Sequence, residues 1–275
     1  MGTPLKDWDI NIYRGVLTGY NEAFIISTEK RDEILSNCRS DDERQRTAEL
    51  IRPILRGRDI KRYGYDWAGL WLIYIPWHFP YQFDSTIQGA SEKAEKAFRE
   101  QYPSVYSHLL KFKIPLSKRN KAETGIRYEW YAMQRWGAKY WDDFNKPKIM
   151  YPNMTMFLPF YYDTSKFLQN DKSFMITGEK IAFLTAFLNS SLFKYCFRNA
   201  FPELQGGTRE LRKIFFEKIP VIQPDERIEN YFKQLVDDIQ KEYKKEKAMH
   251  IDREIFNLYH LSNEEITEIG FIEIK

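Results

Sequence analysis

Residues 179–201, EKIAFLTAFLNSSLFKYCFRNAF, are the segment that most restricts how this chain can fold. The segment has helical spacing and is apolar on most sides, whereas a helix on a protein surface shows one polar face. It is therefore predicted to be packed inside the protein. With 275 residues, of which 43% are hydrophobic, the chain is long enough to bury such a helix in a substantial core.

The remaining segments alternate between strand and helix patterns. Strands are predicted at GLWLIYIPW, KPKIMYP, TMFLPFYYD and SFMIT, and a hairpin at NIYRGVLTGYNEAFIIS with its turn at residues 19–21. Helices are predicted at residues 28–37, 41–51 and 91–113, the last of them interrupted at Pro103. Together these patterns predict an α+β fold.

A change of character follows Pro224. Apolar residues then recur with the spacing of one long amphipathic helix that has a coiled-coil-like seam, formed by Ile228, Phe232, Leu235, Ile239 and Tyr243. Ser262 with Glu265 predicts a capping box for a last short helix. The sequence thus divides into a domain of residues 1–222 and a helical C-terminal extension of residues 223–275.

Charge is unevenly distributed along the chain. The formal net charge is only +3, but residues 1–224 hold 34 basic against 26 acidic side chains, and residues 225–275 hold 13 acidic against 8 basic. A single block of like charge is typical of a solvated face. Several basic blocks interleaved with aromatic residues in one domain instead favour a nucleic-acid partner.

The basic blocks supply the candidate DNA contacts. The first is LIRPILRGRDIKRYGY, residues 50–65, which carries five cations and one acid; the second spans residues 111–121, and the third follows a glycine pair. Lysine and arginine neutralise phosphates, and the arginine fork also bonds guanine in the major groove. The candidates are Arg52, Arg56, Arg58, Lys61, Arg62, Lys118, Arg119, Lys121, Arg209 and Arg212.

The first block leaves two interpretations open. Arg56 or Arg58 pairs with Asp59 or another acid as a folding signature, or these residues contact DNA. A phosphate contact is favoured for the cations that lack an obvious partner, Arg52, Lys61 and Arg62.

The glycine pair, Gly206 and Gly207, precedes Thr208. Without side chains the glycines would let a phosphate approach the backbone N–H groups, and Thr208 with the following helix start would add donors. An ordinary flexible turn explains the pair equally well. All three residues are DNA-contact candidates.

Motifs for catalysis are absent from the sequence. It has no GxGxxG, FxGxG or P-loop pattern for S-adenosylmethionine or a nucleotide, and no Asn-Pro-Pro-Tyr type of tetrapeptide. The histidines are scattered, and none has a metal-ligand partner at i+3 or i+4. No catalytic or metal-binding residue is predicted. The alternative in the enzyme class is a nuclease with a dispersed metal site at Asp66, Asp84 or Glu123.

Nine segments, in order along nearly the whole chain, resemble one protein family. They are GVLTGYNEAFIIS, IRPILRGRDIKRY, WLIYIP, YPSVYSHLLKFKIPLSKR, WYAMQRW, FNKPKIMYPNM, LTAFLNSSLF, GGTRELRKIFFEKIPV and LYHLSNEEITEI. Together they are similar to the TaqI-type C-terminal specificity domain. That domain is the target-recognition domain of N6-adenine DNA methyltransferases and of type IIG restriction-modification enzymes.

The resemblance implies a fold, a partner and a division of labour. The fold would be a mixed twisted β-sheet target-recognition domain with packed helices, followed by the helical extension. It would bind double-stranded DNA opposite a methyltransferase domain located upstream in the same protein and position the target adenine for flipping. S-adenosylmethionine would belong to that upstream domain, and no cofactor is expected in this chain. Residues 55–62 and 206–208 resemble the DNA-facing or scaffold segments of the family, and residues 118–141 are a candidate reading loop.

Two further alternatives remain. One is a free-standing specificity subunit of the type I kind, and the other is a protein-interaction module that uses the seam of residues 228–243. The acidic tail is predicted to pack on the domain itself or on a partner helix, because like charges keep it from DNA.

The expected setting is cytoplasmic, without a membrane partner. The chain lacks the run of about 18 apolar residues that a membrane span needs, and it lacks the pattern of a signal peptide. Its two cysteines, Cys38 and Cys196, are far apart in sequence. Because MGTPLKDWDI enters an extended segment at once, the chain is expected to be part of a longer protein.

Overall fold

The computed structural model describes residues 2–119, 128–156 and 158–272. The strands are β1 Thr3–Pro4, β2 Ile10–Arg14, β3 Ile25–Ser27, β4 Ile51–Leu55, β5 Ile60–Lys61, β6 Gly64–Tyr65, β7 Leu70–Ile73, β8 Lys148–Pro152, β9 Met154–Thr155, β10 Tyr161–Asp163, β11 Leu168–Gln169, β12 Ser173–Gly178, β13 Arg209–Glu210 and β14 Pro220–Val221. The helices are α1 Asn21–Phe24, α2 Thr28–Ser36, α3 Asp41–Leu50, α4 Glu92–Gln101, α5 Pro103–Leu110, α6 Lys113–Ser117, α7 Ile181–Leu188, α8 Ser191–Phe197, α9 Lys213–Phe216, α10 Glu226–Lys241, α11 Lys245–Leu258 and α12 Asn263–Ile269. This mixture confirms the α+β class.

The first four-stranded sheet has the order β10-β8-β12-β2 and is antiparallel. Ile12, Ile176 and Ile149 lie side by side across three strands and join the core formed with the C-terminal helices. Since side chains alternate along a strand, the adjoining residues of these strands face the other way. Among them, Met175 belongs to a second core.

The second core surrounds a sheet of order β11-β4-β7-β3, in which β11 and β4 are parallel and the other pairs are antiparallel. A small cluster joins the two sheets, because Leu55 of β4 packs in it with Met150 of β8. The predicted hairpin at residues 11–27 is wrong. Strand β2 pairs with β12 and β3 pairs with β7, so the two segments belong to different sheets.

The apolar segment of residues 179–201 was predicted as one packed helix, but it forms two, α7 and α8. Every residue of α7 is buried, as predicted, whereas α8 is buried only at residues 191–193 and exposes Tyr195 and Cys196.

Helix α7 is covered by α10, whose Phe232 ring meets Phe183 with ring centroids 5.0 Å apart. The Glu229 carboxylate of α10 also accepts the N–H groups of Ala182 and Phe183, at 3.0 and 2.9 Å. Glu229 therefore caps the N-terminus of α7, where backbone donors have no partner within the helix.

The N-terminus of helix α8 is likewise capped by a carboxylate, which comes from α11. The buried Asp252 carboxylate accepts the N–H and the hydroxyl of Ser191, at 2.9 and 2.6 Å. Helices α10 and α11 also bury apolar side chains in the same core as α7, including Val236, Ile239 and Ile255. The boundary predicted at residues 222 and 223 therefore does not separate two cores, and the seam packs on the domain itself.

Candidate nucleic-acid interface

The first basic block contains a tight turn, Gly57–Asp59, between β4 and β5. The buried Asp59 carboxylate accepts the N–H of Arg56 at 2.8 Å and two guanidinium N–H groups of Arg56 at 2.9 and 2.8 Å. This bonding raises the pKa of the Arg56 guanidinium above its ordinary value. The pairing with Asp59 thus falls to Arg56, which holds the turn. The Arg58 side chain is exposed and has no ion pair or hydrogen bond with another described residue.

The structure corrects the prediction that Arg62 contacts a phosphate. Its side chain is buried, and the guanidinium donates to the Asn189 carbonyl at 3.0 and 2.7 Å and to the Tyr243 hydroxyl at 3.2 Å. The charge is used to join the β5 region to the end of α7 and to the segment after α10. These bonds within the chain argue against a role in phosphate contact.

Arg52 and Lys61 are partly available. Arg52 is half-buried in β4 and donates to the Lys166 carbonyl at 2.9 Å, and burial lowers the pKa of its guanidinium. The Lys61 ammonium donates to the Arg58 carbonyl at 3.1 Å and lies 3.6 Å from Asp66. Their assignment to phosphate stays a prediction.

The second block divides between surface and interior. Lys118 is exposed, but the neighbouring Arg119 is buried and donates to four backbone carbonyls at 2.6 to 3.0 Å, those of Leu116, Thr18, Trp130 and Ala132. Burial lowers the pKa of Arg119 to about 10, which still leaves it charged at neutral pH. The assignment of Arg119 to DNA is therefore corrected: it ties chain segments together. Lys121 lies outside the described residues.

The glycine pair stands at an exposed turn. Gly206 and Gly207 have φ of +75° and +78°, a region that favours glycine, and a β-carbon at either position would meet nothing within 4 Å. The Thr208 hydroxyl already donates to the Gln205 carbonyl at 2.7 Å. The short helix predicted after the pair is α9, which begins at Lys213, five residues after Thr208. The backbone of the pair remains open to a phosphate.

Two arginines follow the glycine turn. Arg209 is half-buried, pairs with Glu203 at 2.6 Å and donates to the Phe201 carbonyl at 3.2 Å, so it braces the turn. The Arg212 side chain is 58% exposed and pairs with Glu210 at 2.7 Å. Arg212 is therefore the better placed of the two for an outside partner.

Backbone contacts bring three of these segments together. A β-carbon at Gly57 would lie 2.8 Å from the carbonyl oxygen of Lys172. That oxygen accepts the N–H of Asn153 at 2.9 Å, and the Asn153 carbonyl accepts the N–H of Leu211 at 2.8 Å. The turn with Arg58, the turn with Lys172 and the segment that carries Arg212 are thus adjacent in space.

Two cations of this region were missed in the sequence. Lys172 has a side chain that is 68% exposed, and Arg14, at the end of β2, donates to the Asp171 carbonyl at 2.8 Å. Each stands apart from the basic blocks in sequence, so only tertiary contacts reveal its place. We call Arg14, Arg58, Lys172 and Arg212 the basic face.

The acids near the basic face lie below its cations. Asp171 lies 3.7 Å from Arg14 and 3.8 Å from Lys172, but its side chain is only 19% exposed. Glu210, the partner of Arg212, is 17% exposed. Each of these acids is thus less exposed than the cations that pair with it.

Other kinds of site find little support. Across residues 2–119, 128–156 and 158–272, no three His, Cys, Asp or Glu side chains come together in a way that could hold a metal ion. None of the helices in the part of the chain that the structure describes combines the length and the apolarity needed to span a membrane. Of the nuclease candidates, Asp66 lies beside Lys61, Asp84 accepts the N–H of Thr86 at 3.0 Å, and Glu123 lies outside the described residues.

The protein is thus an α+β domain in which adjoining segments carry the cations of the basic face. Residues 52–221 match the model of the TaqI-like C-terminal specificity domain. The chain belongs to this family, which confirms the resemblance in the sequence.

Comparisons with individual proteins agree with the family. The type II methyltransferase M.MjaIV of Methanocaldococcus jannaschii is 23% identical over 241 residues, which covers 81% of this chain and 69% of that protein. The fold is similar to that of the type IIL restriction-modification enzyme MmeI, whose structure was solved in complex with DNA. The TM-score is 0.60 and the sequence identity is 14%, and the match covers 97% of this chain and 35% of MmeI. The type IIG restriction endonuclease BpuSI follows with a TM-score of 0.50 and 12% identity over 93% of this chain and 31% of BpuSI. The chain spans about a third of the length of these two enzymes.

Proposed function

We propose that this chain is the sequence-specific recognition module for double-stranded DNA in an adenine-specific DNA methyltransferase or restriction-modification enzyme. The catalytic domain, with its S-adenosylmethionine, would lie elsewhere in the same protein, since this chain spans only about a third of the two enzymes whose fold it shares. Membership of the specificity-domain family supports this proposal. The observation that carries it is the basic face, where four cations lie on adjoining segments and three of them are more exposed than the acids they pair with.

The chemistry of the basic face suits a duplex. Lysine and arginine neutralise phosphates and release the condensed counterions, which supplies affinity and fixes the register of the protein on DNA. The planar forks of Arg58 and Arg212 can in addition bond the O6 and N7 atoms of guanine. The open backbone at Gly206 and Gly207 adds donors beside the same surface.

A selection experiment, followed by binding titrations at several salt concentrations, tests the proposal. The full chain is incubated with a pool of duplexes that carry a randomised central stretch, and retained molecules are amplified and sequenced over several rounds. We expect a short enriched sequence and a log–log salt dependence with a slope near −0.9 for each phosphate neutralised. Absence of enrichment together with a flat salt response would refute the proposal.

Matched variants locate the contact. Arg58→Gln and Lys172→Gln should each weaken binding and flatten the salt slope by about 0.9. The control is Arg227→Gln, which removes an exposed cation from the start of α10. That position lies near Lys180, whose ammonium bonds Glu226, beyond the opposite end of β12 from Lys172. Equal losses in all three variants would mean that only net charge matters.

The rival functions have their own tests. A nuclease would cut plasmid DNA in the presence of Mg²⁺, and an Asp66→Asn or Asp84→Asn variant would abolish the cleavage. The seam of α10 packs mainly on the chain itself, because Phe232 and Ile239 are buried in its core, which leaves little apolar surface there for a partner protein. For the cellular setting we propose the cytoplasm, which the two unpaired cysteines, Cys38 and Cys196, support.

A further inference from the structure

Helices α5 and α6 carry a surface patch that the basic face does not include. Ile114 is 70% exposed and Leu110 is 46% exposed, although both are large and apolar. Lys118 directly follows α6, keeps a helical backbone and bonds the Ile114 carbonyl through its N–H at 3.2 Å, so the side chains of Lys118 and Ile114 lie on the same side. Lys111 and Lys113 flank them, and both are exposed. We call these five residues the α6 patch.

The α6 patch rests on a fixed base. Leu109 and Leu116, on the inner side of the same helices, are completely buried. The Phe112 ring between the helices packs on Tyr20, with ring centroids 6.1 Å apart. Arg119, directly after Lys118, anchors the C-terminal end through its four carbonyl bonds. Ile114 is therefore held at the surface by its neighbours.

Three lysines surround Ile114 in the α6 patch. Among the described residues, the carboxylates of Glu95 and Glu33 lie near these lysines, and both are already engaged. Glu95 accepts the Tyr106 hydroxyl at 2.9 Å and the Trp130 N–H at 2.8 Å, and lies 4.0 Å from Lys113. Glu33 lies within the electrostatic range of Lys111 and is bonded to Lys30. Within the described residues, the Lys111 and Lys118 ammonium groups have no ion-pair partner.

The α6 patch lies close to the basic face. The Arg119 guanidinium donates to the carbonyl of Thr18 at 2.7 Å. Thr18 follows Arg14 of the basic face by four residues, a distance of at most about 14 Å along an extended chain. The segment of residues 14–18 thus links the basic face to the base of the α6 patch.

We propose that Ile114 acts as an apolar wedge that enters the minor groove of bound DNA, partly unstacks one base step and bends the duplex, while Lys111 and Lys118 contact the flanking phosphates. This inference rests on the proposed function. Apolar side chains inserted between base steps bend DNA by roughly 20–90°, and the bend brings more of the backbone against the protein. A protein partner fits less well, because lysine is depleted in the centre of protein interfaces. Reading in the major groove fits less well too, since α6 exposes no arginine, asparagine or glutamine.

The test measures bending and affinity with duplexes selected from the randomised pool and labelled at both ends for fluorescence energy transfer. The wild-type chain should bring the ends closer. Ile114→Ser should leave the duplex nearly straight and weaken binding about tenfold, by loss of one buried isoleucine side chain. Ile114→Leu should keep the bend, and Lys118→Gln should mainly flatten the salt slope. Urea unfolding should be the same for all variants, because the altered side chains are exposed.

Each outcome decides one question. Failure of the wild-type chain to select any duplex overturns the proposed function and the wedge together. Selective binding with a straight duplex, or an equal bend in wild type and Ile114→Ser, overturns only the wedge. If Ile114→Ser leaves the bend intact but loses association with the catalytic part of the protein, the α6 patch is a protein contact. A flexible pyrimidine–purine step at the bend, whose replacement weakens wild type more than Ile114→Ser, would support the wedge further.

Discussion

Substitution of Arg119 and of its neighbour Lys118 by alanine should have opposite consequences. Both residues were predicted from the sequence to contact DNA, but Arg119 is buried and Lys118 is exposed. Arg119→Ala should lower the free energy of unfolding and affect DNA only through that loss. Lys118→Ala should leave stability within about 0.5 kcal/mol and weaken DNA binding.

The magnitude for Arg119 follows from its four hydrogen bonds to carbonyl oxygens. A hydrogen bond to a charged group contributes about 1.5–3 kcal/mol, and part of this is offset because the variant no longer buries a charge. A net loss of about 3–5 kcal/mol is therefore expected. Since domains are stable by only about 5–15 kcal/mol, this is a large fraction of the total.

Urea unfolding followed by tryptophan fluorescence measures the difference. With a slope of about 3 kcal/mol per molar urea, the midpoint for Arg119→Ala should fall by about 1–1.7 M. Arg119→Lys keeps the charge but not the fork, and its midpoint should lie between those of wild type and alanine. An Arg119→Ala protein with an unchanged midpoint and weaker DNA binding would show that the guanidinium serves DNA, and would refute the assignment made here.

Three other changes test separate features of the fold. Gly57→Ala should cost about 1–3 kcal/mol because its β-carbon meets the backbone of Lys172, whereas Gly64→Ala, with nothing within 4 Å, should be tolerated; urea midpoints and DNA titrations compare the pair. Phe232→Ala should cost about 3–5 kcal/mol in the same assay, because it opens a cavity beside α7. Burial lowers the pKa of His108 below its ordinary value of 6.5, so the unfolded chain takes up a proton at a higher pH than the folded chain does. The free energy of unfolding should therefore fall as the pH drops below about 6.5. A His108→Gln variant should show a flatter pH profile of unfolding, and an unchanged profile would contradict this.

The sequence was most informative where a pattern is local and repeated. The α+β class, the buried helix α7, the strand β12 and the capping box of Ser262 with Glu265 were all predicted, and the structure confirms them. Each depends on periodicity or on a cap within a few residues. The first basic block left two interpretations open, and one structural fact decided between them: Asp59 is buried and bonded to Arg56.

The sequence was least informative about the surroundings of each cation. In the sequence, nothing distinguishes Arg62 and Arg119 from Arg58 and Lys118. The structure shows that Arg62 and Arg119 donate to backbone carbonyls up to 127 residues away. Lys172 and Arg14 carried no signal, because their neighbours in space are distant in sequence. The hairpin prediction at residues 11–27 failed for the same reason: partners from β7 and β12 were available to strands that looked suited to each other.

The caps that Glu229 and Asp252 provide set a rule for building chimaeras. A graft could exchange only residues 52–221, the stretch that matches the family. Helices α7 and α8 would then lose the carboxylates that cap their N-termini, and their apolar sides would lose the helices that pack on them. The host enzyme would then have to supply an equivalent pair of acids at matching positions. Transplanting specificity between enzymes should therefore move α10 and α11 together with the recognition loops.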